Sequence, residues 1–596
     1  CATDYGVVVF DLQNLELRET WRDLGATGGK LKIFQSVFVG DSIFLASQKG
    51  VLAGNLNDNL LDFSNWKRYD TGDLSNPVQC IESFNNKIYI TINELGIYHR
   101  ENGSWFKESF LQGSEYSSLH ANGLGFLLIV EDQKLWTLNG TNQLNPVADD
   151  NLQSPITAIQ DETGSFWAGD GQNGLVSNFS GAFESYLPDG PSTNKTFRLK
   201  FNDKKIYAVA GGFTSLGMPL GQTGAVNIFE NGSWKSLTQT PTDITDIDFM
   251  NNSTFTASFG YGLQAETSGT TLLYNENNSP LQNLNPPNKA VYISAVESSS
   301  DGLWVANYGA TQPLHLLKNS SWQSFSFAFS QARYITDIDV DIFGKAWMTL
   351  NPLQGGGILV FDASKNKSTL ITDAAGSGAL PNKSVRSLAV DRDGYMWAGT
   401  DAGVGYFINE DDDIIKPIFE NRFLLKDEKI TAIAVDGGNR KWIGTEHGVW
   451  LFNSTGEELV HNFTQANSPL LSDIVKDIAI HGESGEVFFA TDKGIISFRG
   501  DAVSGTESFQ RIKIFPNPVT AAFNGMVGIT GLATDATVKI TDINGKLVWQ
   551  TQANGGSAAW NVRDYNGRRA TTGIYLVFAA SADGTGSEVG KIAIID

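Results

Sequence analysis

SVRSLAVDRDGYMWAGTDAGVGYFI, residues 384–408, contains the unit from which the fold follows. Its first part alternates apolar and polar residues, the period of a half-buried β-strand. A polar turn from Asp391 to Gly394 comes next, with a glycine that accepts the positive φ of a tight hairpin. A second strand is led by Trp397, a Thr-Asp-x-Gly turn closes it at Gly403, and a third apolar strand follows.

The same unit recurs. Residues 430–453 read ITAIAVDGGNRKWIGTEHGVWLFN, and residues 474–498 read IVKDIAIHGESGEVFFATDKGIISF. The Asp391, Gly394, Trp397 spacing repeats at Asp341, Gly344, Trp347 and at Asp161, Gly164, Trp167. Looser copies start near Phe34, Val78, Leu119, Phe197, Ile244 and Ile293. A fourth strand is predicted after the short turns ENGSW (101–105 and 230–234) and NSSW (319–322), its Trp packing against its own blade. Eleven units between about 34 and 505 give a β-propeller pattern of four-stranded blades. Helical repeats are excluded by the period-two alternation, and β-helix rungs are too short for two glycine turns each.

Eleven blades exceed the four to eight of one propeller. Counting seven back from the last places a second propeller at 197–505 and a first at 1–196, N-terminally incomplete or sharing blades with the second. CATDYGVVVF (1–10) aligns without a gap to 398–407 and 489–498, so that Thr3 falls on Thr400 and Thr491, and Gly6 on Gly403 and Gly494. Residue 1 is therefore expected inside a blade, with Cys1 an ordinary packed side chain rather than a lipid-bearing terminus.

The 596 residues include 62 Gly, 36 Phe and 14 Trp with only 18% charged residues, a buried, turn-rich composition. A net charge of −22 argues against a nucleic-acid partner. Two cysteines exclude a disulfide framework and a cysteine-rich metal site, and Cys80, in VQCIES, is expected as a small buried apolar group. No apolar run approaches the ~18 residues of a membrane span. If the protein is exported, its signal is expected upstream of residue 1.

Residues 511–596 form a separate all-β segment, read as a β-sandwich. Asn544-Gly545 and Asn566-Gly567 are hairpin signals, while Pro516 and Pro518 limit the first run to an edge or a linker. Four motifs stand in order: Phe515-Pro516-Asn517-Pro518; Asp542, Asn544, Gly545 and Lys546 in DINGKLV; Gly567, Arg568, Gly573 and Tyr575 in DYNGRRATTGIYLV; and Lys591 in the terminal GKIAI. Together they resemble the C-terminal sorting domain of the type IX secretion system of Bacteroidetes. The blades, through W-x-G-T-x-x-G at 397–403 and 442–448, resemble the two-component regulator propeller repeat.

Paired propellers ahead of such a tail resemble the PorZ family of type IX secretion components. That resemblance implies a non-enzymatic, outer-membrane-associated surface protein working with PorU, PorV and PorQ and recognising anionic lipopolysaccharide. Two other readings remain open: a secreted glycan-binding adhesin that is cargo of the same system, and a polysaccharide-processing enzyme on a propeller scaffold.

No compact catalytic or cofactor motif occurs: there is no phosphate loop, HExxH or nucleophile elbow. The six histidines never pair at metal-ligand spacing; Glu410–Asp413 could hold Ca²⁺ or be a solvated hairpin tip. Asp337, Asp339 and Asp341 alternate on one strand and are predicted to share a face, with Asp246 and Asp248 a similar pair. No catalytic residue, metal or cofactor is assigned. Glycine-rich loops at 211–224, 259–269 and 351–357 are candidate ligand loops. An anionic ligand of so acidic a protein needs a locally basic site, for which Arg563, Arg568 and Arg569 are candidates.

Overall fold

The computed structural model describes residues 1–596 except 14–15, 239–240, 285–289, 582, 585 and 596. The chain is all-β and divides into two compact units, Cys1–Pro188 and Asp189–Asp596.

In the first unit five sheets follow one another among the described residues. The first has three strands, Ala2–Thr3, Gly6–Asp11 and Glu16–Arg22; four four-stranded sheets follow at 33–69, 80–107, 116–147 and 155–186. Within each sheet neighbouring strands are consecutive and antiparallel, as in propeller blades. Each pair of successive sheets encloses one apolar cluster: Trp21 with Trp66, Phe44 with Ile90, Tyr89 with Leu127, Leu128 with Ala168. Cys80 is buried in the third of these. Cys1 is exposed, because the strand that it precedes begins only at Ala2.

The second unit holds a seven-bladed propeller and the C-terminal sandwich. Blade sheets begin with the inner strands Arg198–Asn202, Ile244–Met250, Val291–Ser299, Ile335–Val340, Val385–Val390, Ile430–Val435 and Val475–His481. Seven apolar clusters fill the seven junctions, and the last joins Ala479 and Phe488 of blade seven to Leu199 and Ile206 of blade one. The ring is sealed by the Leu199 amide donating to Asp477 Oδ2 at 2.7 Å and by Phe201 against His481 at 4.9 Å. The unit begins at Asp189, ahead of the spacing-based boundary, because the Asp189 carboxylate accepts from the Trp234 amide and Ser192 bonds to Asn227.

The repeated residues build the blades by hydrogen bonding. Asp391 Oδ1 accepts the amides of Asp393 and Tyr395, and Oδ2 accepts Trp397 Nε1 at 2.8 Å. Asp161, Asp341 and Asp436 hold Trp167, Trp347 and Trp442 in the same way, at 2.9, 2.9 and 3.1 Å. In the second turn Thr400 Oγ1 donates to the Gly403 carbonyl at 2.9 Å, repeated by Thr445, Thr491 and Thr3.

Two sequence expectations change. Trp105 packs across the junction onto Tyr69 of the preceding blade, Trp322 meets both Tyr274 of the preceding blade and His315 of its own, and Trp234 stays with Phe229 of its own blade. The 259–269 segment is no loop: Ser253–Gly260 and Gly262–Thr267 are strands, joined at Tyr261 by glycines with φ of +152° and +97°.

The sandwich packs the sheet of Lys513–Phe515, Val527–Thr530 and Ser557–Trp560 on a second sheet. That sheet is ordered Leu547–Gln552, Thr537–Asp542, Gly573–Ala580, Ser587–Ile594, and Trp560, Val538, Ile540, Val577 and Ile592 are buried between the two.

Candidate functional site

Inner strands of a propeller present every second side chain to the central channel. In the second propeller that register brings together Arg198 and Lys200 from blade one, Asp246 and Asp248 from blade two, Glu297 from blade three, Asp337 and Asp339 from blade four, and Asp477 from blade seven. Arg198 Nη1 donates to Asp246 at 3.0 Å and Asp337 at 2.6 Å; Lys200 Nζ reaches Glu297 at 2.6 Å and Asp248 at 3.5 Å. Several of these carboxylates also accept an amide of the next blade: Asp246 from Val296 and Asp248 from Ser298.

Burial pushes the carboxyls of Asp246, Asp339 and Glu297 upward, against the pull of Lys200, and raises Asp477 to about 6. Burial also acts to lower Arg198 and Lys200, but the surrounding carboxylates outweigh it and hold both above their ordinary values. The acids predicted as pairs are thus engaged with cations and backbone, tying blade to blade. Asp341 does not join them: the strand ends at Val340, and Asp341 turns away to serve Trp347.

One mouth of this channel opens as a cavity of about 680 Å³, lined by Lys195, Thr196, Thr431 and Lys476 above Arg198, Asp337 and Asp477. A neighbouring cavity of about 480 Å³ runs from Arg198 beneath Ser215, Asn351 and Leu353. Two of the predicted ligand loops therefore meet here. Asn351 Nδ2 ties them together, donating to the Ser215 carbonyl at 2.9 Å and to the Tyr308 hydroxyl at 2.8 Å. Leu216 and Leu353 are exposed at their tips. Sequence reasoning missed Arg198, Lys200, Glu297, Asp477 and the mouth threonines; their shared inner-strand position was the available signal.

The other candidates have structural partners. Glu410 pairs with Lys345 and Asp411 with Lys367, and Asp413 accepts the amides of Gly376 and Gly378. Among the described residues no cluster of His, Cys, Asp or Glu suits a metal ion. Burial lowers the His315 imidazole to about 4, and its Nδ1 lies 2.8 Å from Ser324 Oγ.

In the tail, Asp542 Oδ1 accepts the amides of Asn544 and Lys546, leaving Gly545 at φ +84°. Asp564 repeats the arrangement with Asn566 and Arg568 around Gly567. Asn517 Nδ2 donates to the Lys591 carbonyl, and its Oδ1 accepts the Ala593 amide, locking the first motif to the last strand. The Tyr575 hydroxyl donates to the Thr571 carbonyl near the start of the strand that Gly573 opens. Phe515 is half exposed beside Pro516 and Pro518. Of the three arginines, Arg563 and Arg569 pair across an antiparallel bridge, with Arg569 donating to the carbonyls of Phe523 and Thr520 and Arg563 to that of Gly567, and Arg568 is exposed.

Comparison with known proteins agrees with this architecture. Residues 1–67 match the family described as TSS9, PorZ, N-terminal β-propeller domain; residues 513–594 match the secretion system C-terminal sorting domain; residues 379–402 match the two-component regulator propeller. No curated protein matches the sequence. The structure of PorZ from Porphyromonas gingivalis, described as an essential bacterial surface component of the type IX secretion system, covers 100% of this chain and 85% of its own, with 22% identity and a TM-score of 0.67. The extracellular domain of a one-component system from B. thetaiotaomicron covers 100% and 85%, with 14% identity and a TM-score of 0.41. Among the described residues no helix is long and apolar enough to cross a membrane. The chain therefore has a PorZ-like fold, with sequence matches to the PorZ N-terminal β-propeller domain at residues 1–67 and to the secretion-system C-terminal sorting domain at residues 513–594.

Proposed function

We propose that the chain is a non-catalytic part of the type IX attachment machinery at the outer membrane, acting with PorU, PorV and PorQ and recognising anionic lipopolysaccharide. The observation that carries the reading is the joint occurrence of a PorZ-type N-terminal propeller at 1–67 and a sorting domain at 513–594. A sorting domain alone is equally expected of cargo, and the N-terminal match favours a machinery component over an adhesin. The channel supports a non-catalytic role: its acids are bonded to arginine, lysine and backbone amides rather than poised around a free nucleophile.

Deleting the gene in the native organism tests the reading. Reporters bearing sorting domains are expected to accumulate in the periplasm and to lose surface anchoring. Normal secretion and anchoring in the deletion strain would overturn it.

A further inference from the structure

The channel mouth of the second propeller has features that the blade-to-blade ties do not need. Thr196 is 2% exposed, yet its hydroxyl has no hydrogen-bond partner among the described residues; the buried Thr431 hydroxyl is in the same state, and both line the 680 Å³ cavity. An unpartnered buried hydroxyl is unfavourable, and native proteins keep few of them. At the rim, Arg386 is paired with Asp401 and Lys429 with Glu446, but the exposed Lys195 and Lys476 have no ion-pair partner among the described residues. Below them Asp337 and Asp477 present carboxylates, which as anions only accept hydrogen bonds and retain lone pairs beyond those used by Arg198, the Leu199 amide and the amides of Ile338 and Ile478.

We propose that this mouth binds a saccharide residue bearing an acidic group, with its hydroxyls on the threonines and floor carboxylates and its anion between Lys195 and Lys476. The proposal rests on the glycolipid reading above and gives it a place. A sugar hydroxyl both donates and accepts, so it satisfies the threonines and the carboxylates at once. A small bare anion meets repulsion from the floor, and an uncharged sugar leaves the two lysines unused. The volume lies within the usual range for a small-ligand site. In a chain of net charge −22 the two free lysines outnumber the one rim acid unpaired among the described residues, Asp492, and supply the local positive field that such a ligand requires.

The test uses the full chain, titrated calorimetrically with oligosaccharides carrying carboxylate, phosphate or sulfate, each beside its uncharged counterpart, and with inorganic phosphate and glutamate. At least one acidic saccharide is expected to bind about tenfold or more tightly than its uncharged counterpart, more weakly as salt rises. The double variant Lys195→Glu, Lys476→Glu is expected to remove that preference while the melting temperature stays put. Thr196→Val is expected to weaken saccharide binding with the melting temperature unchanged or raised, an outcome that a purely structural threonine would not give. Absence of binding to every acidic saccharide, binding indifferent to the variants, or equal binding of phosphate or glutamate would each overturn the proposal. Secretion is read separately. A deletion strain that secretes normally overturns the function and leaves the binding result standing, whereas lost secretion with no saccharide binding overturns the site alone.

Discussion

Asp391 serves three neighbours with one carboxylate: the amides of its own turn, the Trp397 indole, and Lys441 Nζ from the next blade at 3.0 Å. Lys441 and Asp391 are almost wholly enclosed, and Lys441 Nζ lies 4.8 Å from the Trp397 ring centroid. Burial lowers the lysine pKa, with Asp391 opposing the shift. Removing one member of a buried pair leaves the other charge uncompensated, at a cost of about 3–5 kcal/mol. Asp391→Ala is expected to be the more destabilising, since it also takes the acceptor from two turn amides and the Trp397 indole, whereas Lys441→Met leaves Asp391 with those neutral donors and is expected to cost less. Calorimetric unfolding of the two variants checks the order; equal losses would contradict it. Asp477 gives a pH signature. Its pKa is raised to about 6 by burial, so its favourable contribution is complete below the ordinary carboxylate value and is lost as pH rises through 6. The second unit is expected to lose up to ~1.4 kcal/mol per pH unit over that window from this group. Asp477→Asn, which still accepts the Leu199 amide, should flatten the melting temperature between pH 4 and 7.

At the scale of the element, the Thr-x-x-Gly turn shows what was legible and what was not. Thr400, Thr445 and Thr491 each donate to the carbonyl of a glycine three residues on and accept the amide in between. Both functions are local, so the motif could be read as a turn from residue types alone. Thr400→Val keeps the shape, removes both bonds, and is expected to cost about 1–3 kcal/mol. Gly403→Ala is expected to cost more: its φ is +99°, and an added Cβ would sit 2.7 Å from the Leu424 carbonyl oxygen. Thermal melts of both variants test the ranking. The channel belt was not legible for the opposite reason. Arg198 and Asp337 are 139 positions apart, and only ring closure brings them together. Asp337 and Asp339 were found because they alternate within one strand, but their cations come from another blade. The same limit applies to the loop at 259–269: glycine and tyrosine spacing suggested irregular chain, whereas two strands with a one-residue turn satisfy the same composition.

Across the second unit, the sorting domain is held against the propeller rather than trailing from it. Arg440 bridges Asp436 of its own blade, at 2.8 Å, to Asp501 of the connecting segment, also at 2.8 Å. Beyond Asp501 the segment lies between blade and sandwich: the Gly556 amide donates to the Val503 carbonyl, and Arg392 Nη2 reaches Ser504 Oγ at 3.5 Å. The approach is close enough to require glycine. A Cβ on Gly437 would fall within the radius of the Val503 carbonyl oxygen, and Gly555 faces both Val503 and Gly437. Neither glycine could have been singled out from sequence, since Gly437 in DGGN and Gly555 in NGGS stand there as ordinary turn residues. The clash predicts a selective effect. Gly437→Val should displace the 501–505 segment and loosen the sandwich while leaving its own core, built around Trp560, intact. Limited proteolysis is expected to cut the variant between the last blade and Arg511 and to release a folded C-terminal fragment under conditions where the parent chain stays whole. Arg440→Ala, which removes both ion pairs of that side chain and leaves the backbone contacts in place, should raise the cleavage rate less than Gly437→Val does. Cleavage of the parent and Gly437→Val chains at the same rate would show that the docking contributes nothing to holding the tail.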